Sequence, residues 1–207
     1  MPTKSKLVLS NKHPYHHGDL RAALIAAALS LVDQHGVKGF TLKDAAVLAG
    51  VSTAAPYRHF ADKEALLQAI CQEGFILFNT SLAAAWESAG TSEAAILELG
   101  IAYVQFALQH PAHFRLMFSL SGSKQPEAAQ SGTTGFDLLV RSVAALHPQA
   151  TREHQTDVVL ASWSLVHGFA ILHLEGAFAS VGLSGDMEQH LRRALHLFVA
   201  QTITPGP

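Results

Sequence analysis

Thr41 to Phe60 constrain this chain more than any other stretch, because they read as a short helix, a tight turn and a second short helix. Thr41 offers a hydroxyl to cap the first helix, after which Leu42, Ala45, Ala46 and Ala49 recur on one face at helical spacing. Those side chains are mostly small, so another helix can cross them closely. Gly50 falls where the first helix stops and the backbone needs a positive φ, which glycine adopts without a Cβ clash. Val51 then packs inward, and either Ser52 or Thr53 caps the second helix. With Thr53 as the cap, Pro56 lies in the first turn, where its missing N–H has little consequence; with Ser52, one helical hydrogen bond is lost. The outer face of the second helix offers Thr53, Ala54, Tyr57, Arg58 and His59, with Ser52 at its edge. That mixture of small, hydroxyl-bearing and cationic groups suits a DNA major groove, where the first helical turn meets base edges and flanking side chains meet phosphates.

The charge distribution agrees with a DNA-binding head on a separate body. Residues 1–63 hold eight Lys/Arg against four Asp/Glu, and residues 64–207 hold six against twelve, so the net charge of -2 hides a basic N-terminal third. At 49% hydrophobic and 14% charged residues over 207 positions, the chain is a folded, apolar protein with room for one or two domains. Cys71 is the one cysteine, which excludes an intrachain disulfide and suits a reducing cytoplasm. The N-terminus lacks the apolar core of a signal peptide. The charge-free run Val158 to Leu174 is 17 residues long, short of the roughly 20 that a membrane span needs, and reads as a buried helix.

Helical spacing recurs along the whole chain, without strand-like alternation or an internal repeat, and predicts an all-α fold. Residues 1–14, with Lys4, Lys6, Lys12 and His13, are polar and aperiodic and read as a flexible basic arm. A first helix over about 18–35 braces the helix-turn-helix, with Phe40 and Phe60 closing a small three-helix core. Asp62 caps a long helix over about 63–88, and Lys63 stands at its N-terminus, where the amides and dipole favour an anion such as phosphate. That helix ties the head, residues 15–75, to a body over 76–207. A helix over about 92–109 is apolar nearly all round and belongs at the centre of the body. Pro111 starts another short helix; residues 119–134 are rich in Ser, Gly, Gln and Thr and read as a loop, either a lid or a surface connection. Further helices are predicted over about 134–146, 152–178 and 186–203.

Several stretches carry a family resemblance: Tyr15-His16-His17-Gly18, the entry from Gly36 to Leu42, the turn Gly50-Val51-Ser52, and the run from Pro56 to Leu67. Together they resemble the N-terminal domain of the TetR family of transcriptional regulators, over about fifty residues. Many relatives carry a leucine-like residue where this chain has Pro56. The segments His110 to Phe118 and Trp163 to Gly168 resemble a TetR C-terminal domain named for its Trp-His-Gly motif. The resemblance implies that Thr53 and Ala54 approach bases, that Tyr57, His59 and Lys63 contact phosphates, and that Thr41 or Lys43 lies nearby. Arg58 points either to DNA or back to the first helix. It also implies a homodimer held by a four-helix bundle of residues 152–178 and 186–203, on a near-palindromic double-stranded operator. The small residues Ala161, Ser164, Gly168 and Gly176 would permit close helix approach there.

In the body, Phe75, Phe78, Tyr103 and Phe106, with Phe114, Met117, Trp163 and His167, supply aromatic surface and a few polar atoms, the make-up of a pocket for an apolar small molecule. For any single one of them ordinary core packing is the favoured role, and Trp163 and His167 stand first as pocket candidates because each offers a polar hydrogen-bonding atom within an apolar helix. Thirteen histidines raise the question of a metal, but His110 and His113 at i, i+3 and the adjacent His16 and His17 lack accompanying cysteine clusters, and no metal or other cofactor is expected. No nucleophile or phosphate-loop motif points to an enzyme. The expectation is a cytoplasmic regulator that binds DNA and a small-molecule effector and has no membrane partner.

Overall fold

The computed structural model describes residues 19–119 and 133–203. The basic arm, the Tyr15–Gly18 motif and most of the Ser/Gly/Gln/Thr-rich loop lie outside the described residues. Helix starts follow the capping residues. Asp19, Asp62, Thr91 and Thr151 each accept an amide hydrogen bond from the first turn of α1 (Leu20–His35), α3 (Lys63–Ser88), α4 (Ser92–Gln109) and α7 (Arg152–Leu174). Thr41 and Thr134 do so for α2 (Leu42–Leu48) and α6 (Gly135–Leu146) as reciprocal capping boxes with Asp44 and Asp137. The remaining helices are α5 (Pro111–Ser119), the single turn α8 (Ala177–Ser180) and α9 (Met187–Ile203). No strand occurs among the described residues.

Two boundaries differ from the sequence reading. The second helix of the helix-turn-helix is a 3₁₀ segment, Ala55–Arg58, preceded by a turn at Thr53-Ala54 and without a side-chain cap from Ser52 or Thr53. Pro56 is the reason: it supplies no N–H and restrains Ala55 before it. The helix predicted over 152–178 stops at Leu174, because Gly176 takes the left-handed conformation (φ 68°) and α8 starts afresh.

Helices α1 and α2, the 3₁₀ segment and the start of α3 form the head around Leu24, Ala28, Phe40, Ala45 and Phe60, all buried. Ala45 and Ala46 are fully buried, so α1 meets α2 over methyl groups. Helix α4 buries eleven of its residues and packs against α3, α5, α6, α7 and α9, at the centre of the body as its all-round apolar pattern predicts. Helix α3 runs from head to body without a break, and α5 packs on both α1 and α3. Arg115 of α5 reaches Asp33 of α1 at 3.4 Å, a second bridge between the two parts.

Candidate DNA-binding surface and ligand cavity

The turn of the helix-turn-helix is held by backbone and cap contacts that leave its side chains free. The Thr41 amide and hydroxyl both donate to Asp44 Oδ2 at 2.7 Å, and the Asp44 amide donates back to Thr41 Oγ1 at 3.3 Å. These bonds hold the Asp44 carboxyl below its ordinary range. Gly50 adopts φ 72°, which lets the Val51 amide return to the Ala46 carbonyl at 3.0 Å. Pro56 is fully buried, and its carbonyl accepts from both His59 and Phe60 amides at 2.9 Å. The outcome is an exposed ledge of Ser52, Thr53, Ala54, Tyr57, Arg58 and His59 beside exposed Thr41 and Lys43. Tyr57 is 53% exposed and Phe60 only 4%, so the tyrosine faces out while the phenylalanine belongs to the core. Exposed Val47 and Leu48 adjoin the same turn, and sequence reasoning had not placed them on this surface.

Lys63 is set differently from its neighbours. Its Nζ donates to the Phe40 carbonyl at 2.6 Å and sits 4.1 Å over the Phe40 ring, which pins the start of α3 to the head. Desolvation draws its pKa down, against the opposing pull of Asp44 and Glu64. Two of its three N–H donors remain beyond that one bond.

In the body, the helices enclose a cavity of about 280 Å³. One wall is α3, through Phe75, Phe78, Asn79 and Leu82; α4 supplies Leu99, Gly100 and Tyr103. The start of α6 and the middle of α7 close it with Phe136, Ser162 and Trp163. Phe136 and Trp163 meet edge-on at 5.7 Å and are 47% and 39% exposed, so they form the mouth. The Trp163 indole N–H donates to Tyr103 Oη at 3.4 Å, and Tyr103 Oη lies 2.8 Å from His167 Nδ1. Burial lowers the His167 pKa and raises that of Tyr103, so both stay neutral and the phenol can donate to the imidazole.

Residues 24–70 match the family model of bacterial regulatory proteins, tetR family, and residues 96–198 match that of the tetracyclin repressor-like C-terminal domain. The chain belongs to the TetR family of transcriptional regulators. It is 26% identical over 156 residues to the uncharacterized HTH-type transcriptional regulator YobS of Bacillus subtilis, covering 75% of this chain and 79% of that protein. A protein of unknown function from Rhodococcus sp. RHA1 is 32% identical with a TM-score of 0.74, over 92% of this chain and 98% of its own. A tetR-family regulatory protein from Rhodococcus RHA1 shares the fold at a TM-score of 0.71 and 21% identity, over 90% of this chain and 98% of its own.

Within this TetR-family body, the aromatic residues singled out from sequence separate into two groups. Phe75, Phe78, Tyr103 and Trp163 line the cavity. Phe106, Phe114 and Met117 are buried beside it, with Phe106 edge-on to Phe78 at 5.1 Å and Phe114 edge-on to Tyr103 at 5.7 Å. His167 stands behind Tyr103 as its hydrogen-bond partner. Sequence reasoning missed Asn79, Ser162 and Phe136; a lone amide within the apolar run of α3 was the available signal for Asn79. His110 and His113 come together, with ring centroids 5.9 Å apart, but no group of three His, Cys, Asp or Glu side chains among the described residues could hold a metal.

Proposed function

We propose that this TetR-family regulator is a homodimeric repressor that binds a near-palindromic operator and releases it when a small, largely apolar molecule fills the body cavity. The observation that carries the reading is the exposed ledge Ser52 to His59, which leaves Thr53 and Ala54 free to approach bases and Tyr57, Arg58 and His59 free to bond phosphates. Lys63 and Lys43 flank it. Helix α3 supports the coupling, since Phe75, Phe78 and Asn79 border the cavity while Lys63, on the same helix, is tied to Phe40 in the head. A ligand that tilts α3 or α5 respaces the two recognition segments relative to successive major grooves. A coupling of ~1–3 kcal/mol would change DNA affinity about 5–150-fold.

The test is the affinity of the purified protein for DNA from around its own gene, with excess nonspecific DNA as competitor. Selective binding is expected. Tyr57→Ala and Arg58→Ala should each weaken binding to all sequences alike, and Arg58→Ala should also flatten its salt dependence. Unchanged affinity in both variants, with the protein folded, would remove this ledge from the interface.

A further inference from the structure

Among the described lining residues, Asn79 carries the one side-chain amide, on a stretch of wall built of Phe75, Phe78 and Leu82. Its Oδ1 accepts the Gly135 amide at 2.9 Å. A backbone N–H can only donate, so this bond fixes the amide oxygen toward α6 and turns the NH₂ group the other way. Gly135 makes the contact possible, because a Cβ at that position would stand 2.1 Å from Leu82 Cδ1. The other side-chain donors of the wall are committed: Ser162 to the Val158 carbonyl, Thr134 to Asp137, Trp163 to Tyr103, and Tyr103 to His167. The Asn79 NH₂ has no partner among the described residues.

We infer that the cavity takes an uncharged aromatic molecule about two fused rings in size, with a hydrogen-bond acceptor that meets the Asn79 NH₂. This rests on the cavity being the effector site. Among the described residues, the lining contains no Asp, Glu, Lys, Arg or His, so an ion entering it would lose hydration with no counter-charge in exchange. The phenol of Tyr103 is held neutral by burial, which keeps the wall free of charge at physiological pH. Size follows from volume: a dry cavity of about 150 Å³ holds one benzene. The 280 Å³ here is nearly twice that, and the rings of Phe78, Tyr103 and Trp163 among its lining offer aromatic contacts to a planar guest.

Four probes on one naphthalene skeleton test this by calorimetric titration of the full chain: 2-acetonaphthone, 2-ethylnaphthalene, 2-naphthoate and 2-naphthylmethylammonium. The ketone should bind about tenfold or more tighter than either ion. It should exceed the ethyl compound by about 2–10-fold, the worth of one hydrogen bond. Asn79→Asp keeps an oxygen for the Gly135 amide and replaces the NH₂ by a second oxygen, turning the amide into a carboxylate. In that variant the ammonium probe should become the tightest and the ketone should weaken, a gain of affinity that misfolding cannot produce. Either ion equalling the ketone in the unaltered chain, an unchanged order of probes in Asn79→Asp, or no binding by any probe would overturn the ligand class. DNA shifts on the same samples separate the two readings. Selective DNA binding without probe binding sinks the ligand class and leaves the regulator intact, whereas probe binding in the expected order with no effect on DNA leaves the ligand class standing and sinks effector release.

Discussion

Lys63 and Tyr57 both stand on or beside the proposed DNA-binding surface, yet their surroundings assign them different work. Tyr57 touches little of the protein, so Tyr57→Ala should lower DNA affinity while leaving stability within about 0.5 kcal/mol of the parent. Lys63→Met keeps an apolar stem over Phe40 and loses the bond to its carbonyl. It should lower stability by about 0.5–1.5 kcal/mol, read by urea unfolding, as well as weakening DNA. A stability identical to the parent would mean that the Phe40 contact contributes nothing in solution. A second residue-scale expectation concerns His113, only 6% exposed, whose Nε2 lies 3.7 Å from Glu73 and makes no hydrogen bond. Burial lowers its pKa, with Glu73 and Asp33 pulling the other way and His110 adding to the fall. A folded pKa below the unfolded value means that the unfolded chain takes up the proton first as pH falls. The contribution to stability is therefore complete above about pH 6.5 and is lost as pH falls through the folded pKa. His147 and His167 shift in the same direction. Urea midpoints should drop between pH 7 and pH 5, and His113→Gln should make that drop smaller; an unaltered drop would exclude His113 as a contributor.

At the scale of elements, what can be read from sequence is which face of a helix turns inward, and what cannot is what that face meets. Helix α4 was legible because Ile96, Leu99, Tyr103, Val104 and Phe106 surround its axis, and no arrangement but a central one buries them all. The caps at Thr41 and Asp62 were equally plain, since a hydroxyl or carboxylate before an apolar run has one local use, whereas Thr134, read as the first residue of its helix, is its cap instead. The end of α7 was missed because Gly176 fits the small-residue spacing of a helix interface as well as it fits a left-handed stop. Phe75 and Phe114 carry the same signal in sequence, but one borders a void and the other is fully packed, a difference made by three or four helices at once. The α3–α6 junction shows how tight such packing is. Gly135→Ala would place a methyl against Leu82, which must turn into the cavity or push α6 away, at about 1–3 kcal/mol. The same variant should loosen the Asn79–Gly135 bond and so reduce discrimination between 2-acetonaphthone and 2-ethylnaphthalene. Stability and discrimination both unchanged would show that α6 has slack there.

For the molecule as a whole, the unresolved account is the apolar surface of α7 and α9. Helix α7 is long and apolar enough to cross a membrane by length and composition, yet one side packs on α4, α6 and α9. Its other side exposes Leu160, Ala161, Ser164 and Leu172, and a Cβ built on Gly168 meets nothing within 4 Å. On α9, Leu197 is 66% exposed. In the proposed homodimer these exposed apolar side chains would form the interface, and the small residues of α7 would let a second helix pair approach closely. A second copy fits, because one head alone covers a single half-site and two linked heads gain from effective concentration. The double variant Leu160→Glu, Leu197→Glu adds four like charges across a two-fold contact while leaving the fully buried Leu191 and Leu195 in place. It should sediment as a folded monomer with unaltered helical circular dichroism, and its operator affinity should fall by about 100-fold or more, because the second half-site no longer binds as part of the same particle. A dimer that survives both charges, with DNA affinity intact, would move the interface off α7 and α9 and leave their exposed leucines to another partner.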